Sequence, residues 1–213
     1  MTNRIYDISQ SLRPDVPVWP GDTNFAIDAV WEIDEQSPVL VSKITMSTHS
    51  GTHADAPSHY DKSGADISRC SLEPYMGVCD VVHVEPGDDA VSASNIGAFL
   101  DEHDGPIERV LFRTFGAFPH DAWPEGFRAI DAGLIHDLAG RGCRLIGTDT
   151  PSLDPQTSKT MDAHMAIRDT GMAILEGLVL DDVPAGRYEL IALPLKIAQA
   201  DAGPVRAVLR ALG

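Results

Sequence analysis

The amino-acid sequence predicts an α/β protein, organised as a single mixed α/β domain over residues 1–213. Three observations carry that expectation. The chain is long enough for one substantial core, and no internal repeat, low-complexity tract or Ser/Gly linker divides it. Its first third is made of short β-branched or alternating runs parted by Pro, Gly and Asp. From about Met76 onward, apolar strand-like runs alternate with helix-like ones, which is the rhythm of an α/β fold.

The early strands are expected in "RIYDIS", "FAIDAVWEI" and "VLVSKITMST". After them come "GVCDVVHV" as strand, "SASNIGAFLDEH" as helix, "ERVLFRT" as strand, "IDAGLIHDLAG" as helix and "CRLIGTD" as strand. Ser92 or Ser94 can cap the first helix and Asp131 the second, because a short oxygen-bearing side chain there accepts a bond from an unpaired N–H of the first turn. Gly140 stands where a left-handed C-terminal cap is expected. Beyond the loop "TPSLDPQTSK", a helical piece "MDAHMAIRD" ends near Gly171, and "MAILEGLVL" and "YELIALPLKI" read as buried strands. Pro204 then opens a final helix, "PVRAVLRAL", with Val205, Val208, Leu209 and Leu212 on one face.

Composition narrows the function. With 16 Lys and Arg against 32 Asp and Glu, the net charge is -16, and its field repels phosphate backbones, so nucleic acid is not expected as a partner. No apolar run approaches the ~20 residues that span a bilayer, and the N-terminus has no apolar core of a signal peptide. A membrane partner is therefore not expected and a cytoplasmic location is. Cys70, Cys79 and Cys143 are three, an odd number, and no pair has C-x-x-C spacing. They read as free thiols of a reducing compartment, so any transition metal must be held by imidazole and carboxylate.

The stretch "HSGTHADAPSHY", residues 49–60, supplies both. His49, His53, Asp55 and His59 are all odd-numbered, yet in an extended strand of ~3.3 Å per residue His49 and His53 would stand roughly 13 Å apart. That is too far to share an ion through bonds of ~2 Å. Gly51 gives the freedom to bend, while Pro57 and the Ser, Thr and Gly content oppose a helix. The segment is expected to be a strand running into a tight turn that gathers His49, His53 and Asp55. Two imidazoles and a carboxylate suit Zn²⁺ or Mn²⁺ with a coordination position left for water. The second oxygen of Asp55 can bridge to another ion ~3.5–4 Å away. His164 and Glu176 are the candidates to close that second site, since a carboxylate in an apolar strand asks for a cation. His83, His103, His120 and His136 read as ordinary surface or hydrogen-bonded histidines.

These residues also resemble a known family. "HSGTHADAPSHY" is similar to the H-x-G-T-H-x-D-x-P-x-H signature of the cyclase-like metal-dependent hydrolases. "VPVWPGDT", "DTPSLDPQTSKTMDAH" and "ILEGLVLDDVPAGRYELIALPLKIAQADAGPVRAVLR" resemble the bacterial kynurenine formamidase branch of that superfamily. The resemblance implies a swivelling β/β/α fold and usually a homodimer, with zinc as the metal, two ions per subunit. It implies that His49, His53 and Asp55 hold the first ion, that Asp55 bridges to a second completed by His164, and that Glu176 touches both. It gives His59 the part of general acid/base and places Trp19 against the substrate. The reaction implied is hydrolysis of N-formyl-L-kynurenine to L-kynurenine and formate in tryptophan breakdown. The departure is Met165, where some relatives carry a second histidine. Two rivals keep the same ligands: an isatin-hydrolase-like or other amide-opening enzyme of the superfamily, and a metal-binding domain without catalysis.

Overall fold

A computed structural model describes residues 4–87 and 90–212; the two ends of the expected 1–213 domain lie outside the described residues. In chain order the strands and helices are β1 (Ile5–Asp7), β2 (Ala26–Trp31), β3 (Val41–Thr45), β4 (His53–Asp55), β5 (Met76–His83), α1 (Gly97–Glu102), β6 (Arg109–Arg113) and α2 (Ala132–Gly140). They continue with β7 (Leu145–Thr148), α3 (Asp162–Thr170), β8 (Ala173–Leu175), β9 (Gly186–Ile191), β10 (Ala202–Pro204) and β11 (Val208–Ala211).

Seven strands form one mixed sheet in the order β1-β11-β9-β5-β6-β7-β8. The half from β5 to β8 is parallel, and the half from β5 through β9 and β11 to β1 is antiparallel. Alternation along the strands feeds two cores. Val82, Val110, Phe112, Ile146 and Ile174 pack on one face with Leu134, Ile135 and Leu138 of α2 and Ala163 and Ile167 of α3. Val81, Leu111, Leu145, Leu175 and Leu190, which include the immediate sequence neighbours of the first set, point to the other face. There they meet Ala54 of β4, as a side-chain period of two demands. The small sheet made by β10 and β4 covers that second face, giving a β/β/α layering. Among the described residues, no helix is long and apolar enough to cross a membrane.

Capping follows the sequence closely in two places. Asp131 accepts the N–H of Leu134 at the start of α2, and the Asn95 side chain accepts the N–H of Ser92 at 2.9 Å ahead of α1. Gly171 ends α3 with φ +69°. Gly140, by contrast, is the last residue of α2, and the left-handed glycine is Gly142, two residues later.

The expected final helix is absent: β10 ends at Pro204 and β11 pairs with both β1 and β9. Apolar residues at 205, 208, 209 and 212 fit one helical face, but the buried set is Val205, Ala207 and Leu209, with Arg206 and Arg210 exposed. That alternation is a strand's, and two neighbouring strands supply the hydrogen bonds that decide it. The strand read in "YELIALPLKI" likewise stops at Ile191; Leu193, Leu195 and Ile197 are exposed.

β2 and β3 form a separate hairpin in which nearly every residue is exposed. Ile27 stands opposite Ile44 and Trp31 opposite Val41, an apolar surface that no other described element covers.

Candidate metal centre and substrate cavity

The turn expected around Gly51 is present. Gly51 has φ +66°, and β4 starts two residues later, carrying His53 and Asp55 as buried neighbours on one side of the strand. Glu176 arrives from the end of β8. Its N–H donates to the His53 carbonyl at 3.0 Å and its carbonyl accepts the His53 N–H at 3.2 Å, so the backbone itself sets the two side chains side by side. Gly177 follows with φ +65°, and a Cβ there would lie 2.6 Å from the Gly51 carbonyl oxygen. Only a residue without a side chain lets these two turns meet. α3 supplies His164 from the other face of the sheet's edge.

All five expected ligands converge. Asp55 divides its oxygens: Oδ1 lies 3.1 Å from His49 Nδ1 and 3.4 Å from His53 Nε2, while Oδ2 lies 3.3 Å from His164 Nε2. Glu176 does the same, with Oε2 3.4 Å from His53 Nε2 and Oε1 3.8 Å from His164 Nε2. His53, Asp55, His164 and Glu176 are each no more than 3% exposed. Among the described residues, two donor triads can each close on an ion, His53–Asp55–Glu176 and His49–Asp55–His59, sharing Asp55. His53 Nε2 and Asp55 Oδ1 are buried with no hydrogen-bond partner among the described residues. Such atoms are costly unless something satisfies them, and imidazole with carboxylate is a donor set for a divalent metal ion.

The far nitrogen of each buried imidazole is held as a metal-binding histidine's usually is. His53 Nδ1 donates to the Gly51 carbonyl at 3.0 Å, and His164 Nδ1 to Asp154 at 2.6 Å. Burial opposes charge on His53, but the Asp55 and Glu176 carboxylates outweigh it and lift its pKa to about 10. His164 is lifted to about 10 against its burial by Asp154 and Asp55. Burial pushes Asp55 up, but the surrounding imidazoles of His164, His49 and His53 hold it well below the usual carboxylate range.

A cavity of ≈ 510 Å³ opens above this cluster, lined by His49, His53, His59, His164 and Glu176 on its floor. Trp19 lies on its wall as expected, edge-on to Trp123 with ring centroids 5.4 Å apart and to Phe127 at 6.4 Å. Trp123 Nε1 donates to Gln156 at 2.8 Å, which fixes the indole's rotation. His59, the least buried histidine of the cluster, has its ring 4.3 Å from that of His49 and its Nδ1 3.4 Å from Asp201.

Sequence reasoning missed Asp201, Asp154 and Trp123. Asp154 lies within the quoted "TPSLDP" segment and Trp123 precedes a proline in a loop, but nothing in their spacing points to the site. Asp149 accepts from the N–H groups of Thr114 and Phe115 and from the Thr114 hydroxyl, so its part is to hold a wall loop. Burial raises its pKa to about 6 against those bonds.

A β/β/α layering with a shared carboxylate between imidazoles at the floor of an aromatic cavity offers a donor set for a divalent ion beside a place for an aromatic substrate. The comparisons with known proteins agree. The family model described as "Putative cyclase" matches residues 6–155, and the chain belongs to that family. A protein of Maricaulis maris (strain MCS10) named kynurenine formamidase is 58% identical over 98% of this chain and 99% of its own. Among solved structures, one described as a potential metal-dependent hydrolase with cyclase activity aligns over the full length of both chains at 27% identity and TM-score 0.84. Isatin hydrolase A from Labrenzia aggregata aligns at 27% identity and TM-score 0.84 over 97% of this chain and 93% of its own.

Proposed function

We propose that the protein is an arylformamidase, hydrolysing N-formyl-L-kynurenine to L-kynurenine and formate, and that it works as a single domain. The observation that carries the chemistry is Asp55, whose two oxygens face different imidazoles beneath an aromatic-walled cavity. The 58% identity to a kynurenine formamidase over nearly the whole chain supports the substrate.

His49, His53 and Asp55 would hold one ion, Asp55 and His164 a second, and Glu176 would touch both, with Zn²⁺ as the metal and Mn²⁺ as the alternative. When bound, such ions make water a strong nucleophile at neutral pH and polarise a carbonyl. The chain's own residues do the rest. Trp19 and Trp123 bind the aryl ring and thereby place the formamide over the cluster. His59 takes a proton as water adds to the formyl carbon, then returns it to the aryl amine nitrogen as the C–N bond breaks, so that a neutral amine leaves together with formic acid, which gives its proton to solvent and becomes formate. His59 suits that role better than ligation because its side chain is 31% exposed and faces the cavity, whereas the imidazoles of His53 and His164 are buried against carboxylates.

A homodimer is supported by the projecting hairpin, where Ile27, Trp31, Ile33, Leu40 and Ile44 are each more than half exposed. A patch of that kind marks an interaction surface. Cytoplasmic residence is supported by Cys70, Cys79 and Cys143, which are unpaired as thiols.

The test is a substrate comparison. Metal-loaded protein should show kcat/KM for N-formylkynurenine at least 100-fold above that for isatin. Equal values, or a preference for isatin, would move the protein to the ring-opening branch of the family.

A further inference from the structure

The imidazoles of the cluster differ in what stands behind them. His53 leans on a backbone carbonyl and His164 on Asp154 alone. Asp201 serves two rings: its Oδ2 lies 3.1 Å from His49 Nε2 and 3.4 Å from His59 Nδ1. Its other oxygen, Oδ1, accepts the Thr48 hydroxyl at 2.9 Å, which fixes the carboxylate's rotation. The backbone fixes its place. Asp201 immediately precedes β10, whose Ala202 pairs with Asp55, and the Asp201 carbonyl accepts the Ala56 N–H at 2.8 Å. The strand that carries His53 and Asp55 is therefore stitched on one side to Glu176 and on the other to Asp201.

A carboxylate only accepts hydrogen bonds, so each ring nitrogen that faces it must carry the proton. For His49 this holds a proton on Nε2 and turns Nδ1 toward Asp55 Oδ1 at 3.1 Å, so Nδ1, whose own proton a bound ion would displace, is the nitrogen offered to the site. For His59 it puts the proton on Nδ1 and leaves Nε2 bare. We infer that Asp201 is a positioning residue shared by the metal centre and the acid/base: one carboxylate orients the rings of both His49 and His59. The His59 half rests on the functional reading above; the His49 half rests on the proposed ligand set alone. The arrangement makes ion binding and proton transfer depend on a residue that lies 146 positions beyond the H-x-x-x-H segment's Asp55 and touches no reacting atom.

The experiment uses the full chain, metal-stripped, as wild type, Asp201→Ala, Asp201→Asn and Thr48→Val. Zn²⁺ affinity is read by competition with a chromophoric chelator, and kcat and KM for N-formylkynurenine are then read at saturating Zn²⁺. Asp201→Ala should weaken Zn²⁺ binding by about 10–100-fold, the usual loss when the group behind a ligand is removed. It should also lower kcat at saturating Zn²⁺ by at least about 10-fold while KM changes little, with kcat referred to the Zn²⁺-binding protein counted in the titration so that loss of folded protein does not enter. Thr48→Val, which loosens the carboxylate without removing it, should move both readouts in the same direction by less, and it carries the test if the Asp201 variants do not fold. Zn²⁺ affinity equal to wild type in all variants would overturn the His49 half. Recovery of wild-type kcat at saturating Zn²⁺ would overturn the His59 half. Failure of the functional reading has another signature: wild type inactive on N-formylkynurenine, or His59→Gln as active as wild type. Either would remove the His59 half, while the affinity measurement still decides the His49 half.

Discussion

Gly177→Ala probes the step on which the site's geometry depends, the close meeting of the Gly51 turn with the turn after β8. Gly177 has φ +65°, and a Cβ there would lie 2.6 Å from both the Gly51 carbonyl oxygen and Gln10 Nε2. Gly171 is the natural control, with φ +69° and nothing within 4 Å of an added Cβ. Both substitutions impose a left-handed backbone on alanine, which costs about 1–2 kcal/mol. Only Gly177→Ala adds steric displacement, about 1–3 kcal/mol for a crowded interior. In a chain of this size a kilocalorie moves Tm by ~2–4 °C, so the two variants should differ by about 2–12 °C in a thermal melt. The displaced atom is in the turn that carries His49 and His53, so Gly177→Ala should also lose Zn²⁺ affinity while Gly171→Ala keeps it. Equal melting temperatures and equal affinities would refute the claim that the meeting of these two turns builds the centre.

Further outcomes follow from the same geometry. His53 and His164 have folded pKa values near 10 in the metal-free chain, so their protonation contributes stability that is complete below pH ~6.5 and is lost as pH rises through about 10. Metal must displace those protons, so titration calorimetry of the stripped protein in buffers of different ionisation enthalpy should show proton release near neutral pH and an affinity that rises with pH; pH-independent affinity would contradict this. Trp123→Ala should raise KM for N-formylkynurenine by about 2–13-fold, the equivalent of ~0.5–1.5 kcal/mol for an aromatic pair, with kcat nearly preserved. An unchanged KM would place the ring elsewhere. Leu209→Ala, at a fully buried position of β11, should cost about 2–5 kcal/mol by denaturant unfolding, while Leu212→Ala, on the same face of the expected helix but exposed just past the strand, should cost far less; equal losses would contradict the strand.

Much of the fold was legible because period and punctuation agree with tertiary context. The runs that became β5, β6 and β7 are apolar on both faces, as strands buried between two layers must be, and Asp131 caps the helix its position announced. The C-terminus was misread because V-R-A-V-L-R-A satisfies a helical period and an alternating one equally; the choice was made by β1 and β9, which lie far away in sequence. The five ligand candidates came from chemistry that spacing can reveal: imidazoles bent together by a glycine, and a carboxylate stranded in an apolar run. Asp201 and Trp123 could not be found that way. An acid between Ala200 and Ala202 or an indole before Pro124 carries no local signal, and each gains its role only when the chain brings it to His49 or Trp19.

The measurement that bears most directly on the central claim is release of formate and kynurenine from N-formylkynurenine by metal-stripped protein, before and after Zn²⁺ or Mn²⁺ is added back. Negligible release is expected without metal and stoichiometric formate and kynurenine once it is restored, with the gain abolished in Asp55→Asn. Full activity in the stripped protein would contradict the metal-dependent chemistry, and silence with every metal despite ions bound at His53, Asp55 and Glu176 would contradict the substrate.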